Sequence, residues 1–302
     1  MTLHVEPSSQ QPALGSQKRR ILLICLTQLR PQGNAGNFQD YPYGVLSIAT
    51  YCKDIADFEI LDLAFKEVIL GDSCHHPNLA GIIDIYVTDV PRLVFHWAAD
   101  SQLLQSAIVG RGGSGPVLTQ PQKVKLTKDM LSGLAYLHSH AIVHLNLHPS
   151  AIVVHPHSVT GQPGCGEAFA QILDLAGAAL SGTVAECASG PMDYMAPEVL
   201  AGCNDPSAFA DVWSAAAIMA FVLTGRSLFG QSPADRGQAL INIVEVLGPL
   251  SSIEVDEFRQ LPNWSSIYEV SEPVTAWSDD LAGCPGAALL LRQMLIFGWS
   301  RY

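Results

Sequence analysis

Histidine, cysteine and clustered glycine are the residue types through which this chain could do chemistry, and their spacing narrows what that chemistry is. Of ten histidines, His155 and His157 stand two apart, so a strand would project both to one face, as a metal pair requires. No third ligand is indicated near them, and a His-Pro-His segment is more often solvated. The seven cysteines are scattered, odd in number and contain no C-x-x-C pair, so neither a zinc clip nor a secreted disulfide framework is indicated. No G-x-S-x-G elbow is present for a serine nucleophile. The glycine cluster Arg111-Gly112-Gly113-Ser114-Gly115 follows the strand-like runs and has no strand or helix terminus in register to make a phosphate cradle. It reads as flexible connection.

Behind these residues lie the elements that must position them. RILLICLT (20–27) has the pattern of a buried strand, and a Gly-, Asn- and Gln-rich loop follows from Arg30 to Asp40. A short helix is expected over 45–54, a strand over 58–63, and a helix over 65–73 stopped by the His75-His76-Pro77-Asn78 turn. LAGIIDIYV (79–87) and RLVFHW (92–97) read as strands, and 105–122 as a linker. Beyond it Leu126, Met130, Leu134 and Leu137 form one apolar helical face. DVWSAAAIMAFVL (211–223) is apolar all round, as a central helix is, with Asp211 placed to cap it; a last helix is expected over 287–297. Strands first and helices afterwards define an α+β fold: a polar tail (1–19), a small β-rich lobe (20–104), a linker, and a larger helical lobe (123–302).

Composition bounds the function classes. A chain of 302 residues, 48% of them hydrophobic and 15% charged, can bury a sizeable core. Its net charge of −12 gives no general attraction to phosphate backbones, which argues against nucleic acid as a partner. Mean hydropathy is high at +0.23, yet the longest apolar stretch, Ala215 to Leu223, falls short of the about 20 residues that a spanning helix needs. No membrane partner is expected. The first twenty residues lack an apolar signal core, and Lys18-Arg19-Arg20 reads as a solvated lead-in to a strand or as a nuclear address. A reduced, cytoplasmic setting is the expectation.

Four segments, in order and spacing, resemble the eukaryotic protein kinase domain: HHPNL (75–79), GLAYLHSHAIVHLNLHPSAIVV (133–154), QILDLAGA (171–178), and YMAPEVL (194–200) followed by DVWSAAAIMAFVLTGRSLF (211–229). The continuation through LINIVEVLGPL resembles the cyclin-dependent group. The resemblance implies a two-lobed fold, ATP and Mg²⁺ as cofactors, and phosphoryl transfer carried by a few positioned charges. It places Asn146 where the family has its Asp base, His148 at the loop Lys, Ala151 at the metal-binding Asn, and Leu145 at the Arg that reads an activating phosphate. An amide is no proton acceptor near neutral pH, and alanine has no oxygen for a hard cation.

Asp174 keeps the carboxylate of the metal loop, with Ala176 in place of its glycine; it reads either as a metal ligand or as a buried, capped remnant. The resemblance puts the nucleotide pocket at Glu67, Phe95 (gatekeeper) and the hinge His96, Trp97, Ala98. Lys53 and Lys66 stand at the wrong spacing to pair with Glu67, which reads as a solvated helix residue ahead of an ion-paired one. Asp211 matches the residue that holds the catalytic-loop backbone, Glu198 the residue that pairs with a distant Arg (Arg301 here), and His144 a core histidine. Thr183 and Ser189 are loop hydroxyls or phosphorylation sites.

The opening RRILLICLT and YPYGVLSIATYCKDIADFEILDL also resemble the first βαβ of a cobalamin-binding domain, without its Asp-x-His-x-x-Gly signature; a degenerate or replaced kinase small lobe is favoured. The expected function is a kinase-like domain without useful phosphotransfer, a pseudokinase that binds or scaffolds a protein. The alternatives are a divergent active Ser/Thr kinase and, from the end at Arg301-Tyr302, a truncated or fused product.

Overall fold

The computed structural model describes residues 20–25, 74–86, 92–97, 101–110, 118–155, 168–182, 190–203, 207–230, 232–263 and 285–297. The expected helices at 45–54 and 65–73, the strand at 58–63 and the tail 1–19 lie outside them. The β-branched runs pair as their pattern requires: β1 (Arg20–Cys25), β2 (Ile82–Tyr86) and β3 (Arg92–Trp97) form an antiparallel sheet of order β1-β3-β2. Arg20 lies opposite Trp97 and Cys25 opposite Arg92. The helix and second strand that a cobalamin-type βαβ opening would need, over 45–63, lie outside the described residues.

Two small sheets follow. β4 (Gln102–Leu103) and β7 (Phe169–Ile172) flank β6 (Ile152–His155), while β5 (Ile142–Val143) pairs with β8 (Ala179–Leu180). The stretch expected as a linker holds a short helix, α1 (Leu104–Val109), and the first turn of α2 (Gln120–Ser139). Thr119 and Gln122 close a capping box there with Pro121 in the first turn, so the proline that signals a breaker in sequence starts a helix instead.

The apolar face of α2 is buried as its spacing predicts, through Leu126, Met130, Leu134 and Leu137. It packs on β7 and on α4 (Ala208–Thr224). Before α4 in the chain comes α3 (Pro197–Leu200), and after it α5 (Arg236–Leu247), α6 (Ser252–Phe258) and α7 (Pro285–Met294). From Ala210 to Phe221 nearly every side chain of α4 is buried, and each large one contributes about 1.5–3 kcal/mol by leaving water. Trp213 stacks on Phe229 at 5.4 Å and meets Phe297 at 5.9 Å. Ser207, not Asp211, caps α4, accepting from Phe209 N–H. The helix begins a turn earlier than the apolar run does, which frees the Asp211 carboxylate for another task.

One glycine is required by a close approach. A Cβ at Gly133 on α2 would stand 2.7 Å from the Asn78 carbonyl oxygen. Asn78 in turn donates from Nδ2 to the Ala170 carbonyl at 2.9 Å, while Ile172 N–H donates to the Asn78 carbonyl, so the 77–79 turn is sewn onto β7.

Candidate active site

The segment 144–151 leaves β5 and passes into β6, a strand of the other small sheet, through the tight turn Pro149–Ala151. Two non-glycine residues in this region adopt left-handed backbone: Leu145 (φ 62°) and Asp174 (φ 64°). Such conformations cost on the order of 1–3 kcal/mol and persist only when the surroundings fix them. Asp211, fully buried, fixes the first. Its Oδ2 accepts from His144 N–H at 2.7 Å and its Oδ1 from Leu145 N–H at 2.8 Å. His138 Nε2 reaches the same carboxylate at 2.9 Å. His144, also fully buried, takes Asn146 N–H on Nδ1 at 3.3 Å and donates from Nε2 to the Leu173 carbonyl at 3.0 Å. That last bond ties the loop to the residue before Asp174. The roles expected of Asp211 and His144 are therefore present in the geometry.

Above this framework the reactive positions differ. Asn146 donates from Nδ2 to Asp174 Oδ2 at 3.1 Å. Its Oδ1 is buried with no hydrogen-bond partner. A side chain at Gly190, whose φ is 134°, would overlap that oxygen. A shallow cavity opens beside it, lined by Asn146, Leu147, Gly190, Met195, Val199 and Ala210 among others.

His148 turns its Nδ1 back to accept Ser150 N–H at 3.2 Å, capping the turn. Burial, and then the neighbouring His144, push its pKa down to about 4, so it is neutral at pH 7 and supplies no cation for a phosphate. Ala151 is buried against the core. Sequence placed Asn146, His148 and Asp174 in one site, and the structure brings Asn146 and Asp174 into contact. Phe95 is buried on β3, and Trp97 ends that strand. Glu67, Ala98, Lys53, Lys66, Arg301, His157, Thr183 and Ser189 lie outside the described residues.

A hard divalent cation takes six or more oxygens. Among the described residues, Asp174 has an amide N–H already aimed at its carboxylate, and Ala151 and the neutral His148, at the positions the resemblance gave to a metal ligand and to the loop Lys, offer no oxygen. The residues present do not fit a Mg²⁺ site. Among the described residues, no group of three or more His, Cys, Asp or Glu could hold a metal ion.

Glu198 keeps the residue type of its position but sits 4% exposed, and no cation pairs with it among the described residues. Burial pushes its carboxyl up to about 7.

His155 is not solvated, as its sequence context suggested. It is buried at the end of β6, stacked on Phe169 at 4.7 Å, with Ser101 Oγ 2.6 Å from Nδ1 and Gln171 Oε1 3.0 Å from Nε2. Gln171 Nε2 donates onward to the Pro77 and Leu79 carbonyls. This network and the His138 contact were missed at the level of sequence. The available signal was the apolar run IVVH, which places His155 on a strand rather than in a loop.

The comparisons agree with this architecture. The family described as protein kinase domain matches residues 52–295, about four fifths of the chain. The chain belongs to the protein kinase domain family. It is 28% identical over 251 residues to Cell division control protein 2 homolog 3 of Trypanosoma brucei brucei, covering 80% of this chain and 74% of that one. It is 29% identical over 213 residues to Cyclin-dependent kinase 1 of Encephalitozoon cuniculi, covering 69% and 67%. Among solved structures, that of the yeast RNA Pol II CTD kinase CTDK-1 complex superposes with a TM-score of 0.66 at 17% identity, over 97% of this chain and 90% of that one. The domain is thus a cyclin-dependent-kinase-like α+β kinase fold. None of these likenesses supports the cobalamin resemblance.

Proposed function

We propose that this kinase-like domain binds or scaffolds a protein partner and has no useful phosphotransfer activity. The observation that carries the reading is position 146: a carboxamide stands where a proton acceptor is needed, and its own hydrogen bonds to the carboxylate that would hold the metal. Neutral His148 and buried Ala151 leave no compensating charge or oxygen. Groups that act as a unit seldom leave much rate when several are lost together. A protein partner is favoured by the acidic surface balance and by the assembly of the structural neighbour in a complex. No helix among the described residues is long and apolar enough to cross a membrane. The cytoplasm is the proposed location.

The test is incubation of the full chain with labelled ATP, Mg²⁺ or Mn²⁺ and generic protein substrates. No transfer above background is expected; transfer that disappears in Asp174→Ala would overturn the reading. A second reading, a divergent active Ser/Thr kinase, draws on the left-handed Asp174 and the intact Asp211 framework. It requires ATP with Mg²⁺ at millimolar levels to raise the melting temperature.

A further inference from the structure

Charge is unevenly placed along this chain. The whole sequence holds 16 Lys and Arg against 28 Asp and Glu, yet from Ser101 to Gly166 it holds Arg111, Lys123, Lys125 and Lys128 against Asp129 alone. The three lysines and that carboxylate all lie on α2. Asp129 is turned to other work: its Oδ2 takes the Lys125 ammonium at 2.8 Å and the Ala170 N–H at 3.1 Å. Lys123 is spent on the Leu223 carbonyl at 3.0 Å. Lys128 is exposed and has no carboxylate partner among the described residues.

Lys128 belongs to a ridge. Clear of the buried face of α2, the residues Val124, Lys128, Ser132 and Tyr136 recur at intervals of four, and His140 at the helix end continues the row for about 24 Å in all. Val124 is 49% exposed, and Ser132 and His140 are exposed. The far end is stiff. His76 stacks on Tyr136 with 5.0 Å between ring centres, and Tyr136 lies 4.3 Å from His140. His76 Nδ1 accepts the Asn78 N–H at 3.1 Å, and His140 Nδ1 donates to the Tyr136 carbonyl at 2.9 Å. Rings fixed in advance leave little side-chain freedom for a ligand to remove.

We propose that this ridge docks an acidic segment of a protein partner, with carboxylates on Lys128 and the Ser132 hydroxyl and an apolar side chain on Val124. The rest of the chain carries the excess of carboxylates, which would repel a long phosphate backbone and steer a short acidic segment to this face. The assignment rests on the reading of a protein-binding domain and names the partner's chemistry.

The test is fluorescence anisotropy of a labelled peptide of glutamate and leucine with the full chain at low and high salt, beside its glutamine counterpart and a uridine RNA. The glutamate peptide is expected to bind, several-fold more weakly at high salt, and roughly fivefold more weakly to Lys128→Glu and to Val124→Asp. Both positions are exposed, so unchanged melting temperatures are expected and show that the variants fold. Arg259→Glu makes the same charge change beside Asp256 at the end of α6 and should bind as wild type does. No binding by wild type, equal binding of the glutamine peptide, or an equal loss in Arg259→Glu would overturn the proposal. So would tighter binding of the RNA, or an oligomer that Lys128→Glu disperses, since the ridge would then hold nucleic acid or a second copy. Phosphotransfer by a chain that still binds the peptide would end the functional reading alone; a chain without transfer that ignores the peptide would end the ridge alone.

Discussion

The two faces of the segment 144–151 have been treated differently. Underneath, Asp211 and His144 accept the backbone N–H groups of His144, Leu145 and Asn146, and the backbone at Leu145 is held in a conformation it would not choose alone. On top, the side chains that would meet a nucleotide or a hydroxyl are an amide, a neutral imidazole and a methyl group. A protein can keep the support of a catalytic loop after losing its reactive groups because the two serve different ends. The support is needed for folding; the crest is needed only for chemistry.

Breaking the underside should therefore cost most. Asp211→Ala leaves two buried backbone N–H groups unpaired and releases the strained Leu145, and is expected to lower stability by about 3–5 kcal/mol in urea melts. Glu198 sharpens the contrast, since its type is kept while no cation pairs with it among the described residues. Its carboxyl is raised to about 7 from 4.5, so the folded chain holds a proton that the unfolded chain releases. Stability from this group is complete below about pH 4.5 and is lost as pH rises toward 7, by roughly 3 kcal/mol. The difference between wild type and Glu198→Gln, followed by melting from pH 4.5 to 8, should carry that slope.

A smaller loss, about 1–3 kcal/mol, is expected in Gly133→Ala, where the methyl would press on the Asn78 carbonyl. Thermal melts check it. Last comes His148, on the upper face. Its pKa is held down at about 4 against 6.5, so the sign is opposite to that of Glu198: stability is full above pH 6.5 and falls as pH drops toward 4. His148→Gln should erase a loss on the order of 1–2 kcal/mol at pH 5 and change little at pH 7.5. A wild-type-minus-variant difference that stays flat with pH for both would mean that the two groups are not held as described.

Much of this was legible in the sequence. The strands 79–87 and 92–97, the apolar face of α2 and the all-apolar α4 follow from periodicity alone, because burial imposes it. Asp211 was legible as a functional position but misassigned as a cap, since Ser207 begins the helix before the apolar pattern does. Asn146 and Asp174 were each singled out, yet nothing in their spacing of 28 residues shows that one donates to the other. That contact depends on two left-handed residues, and neither Leu nor Asp advertises such a backbone. His155 was read as solvated because His-Pro-His looks like a turn. Its fate was decided by Ser101 and Gln171, far away in the chain.

That last network has a polarity of its own. The Gln171 nitrogen is committed to two carbonyls, so its oxygen can only receive, and His155 must carry hydrogen on Nε2. Nδ1 is then the lone-pair end, and the Ser101 hydroxyl gives to it. The imidazole thus joins two distant stretches of chain in one direction, receiving from the one just past β3 and giving, by way of Gln171, toward the 77–79 turn.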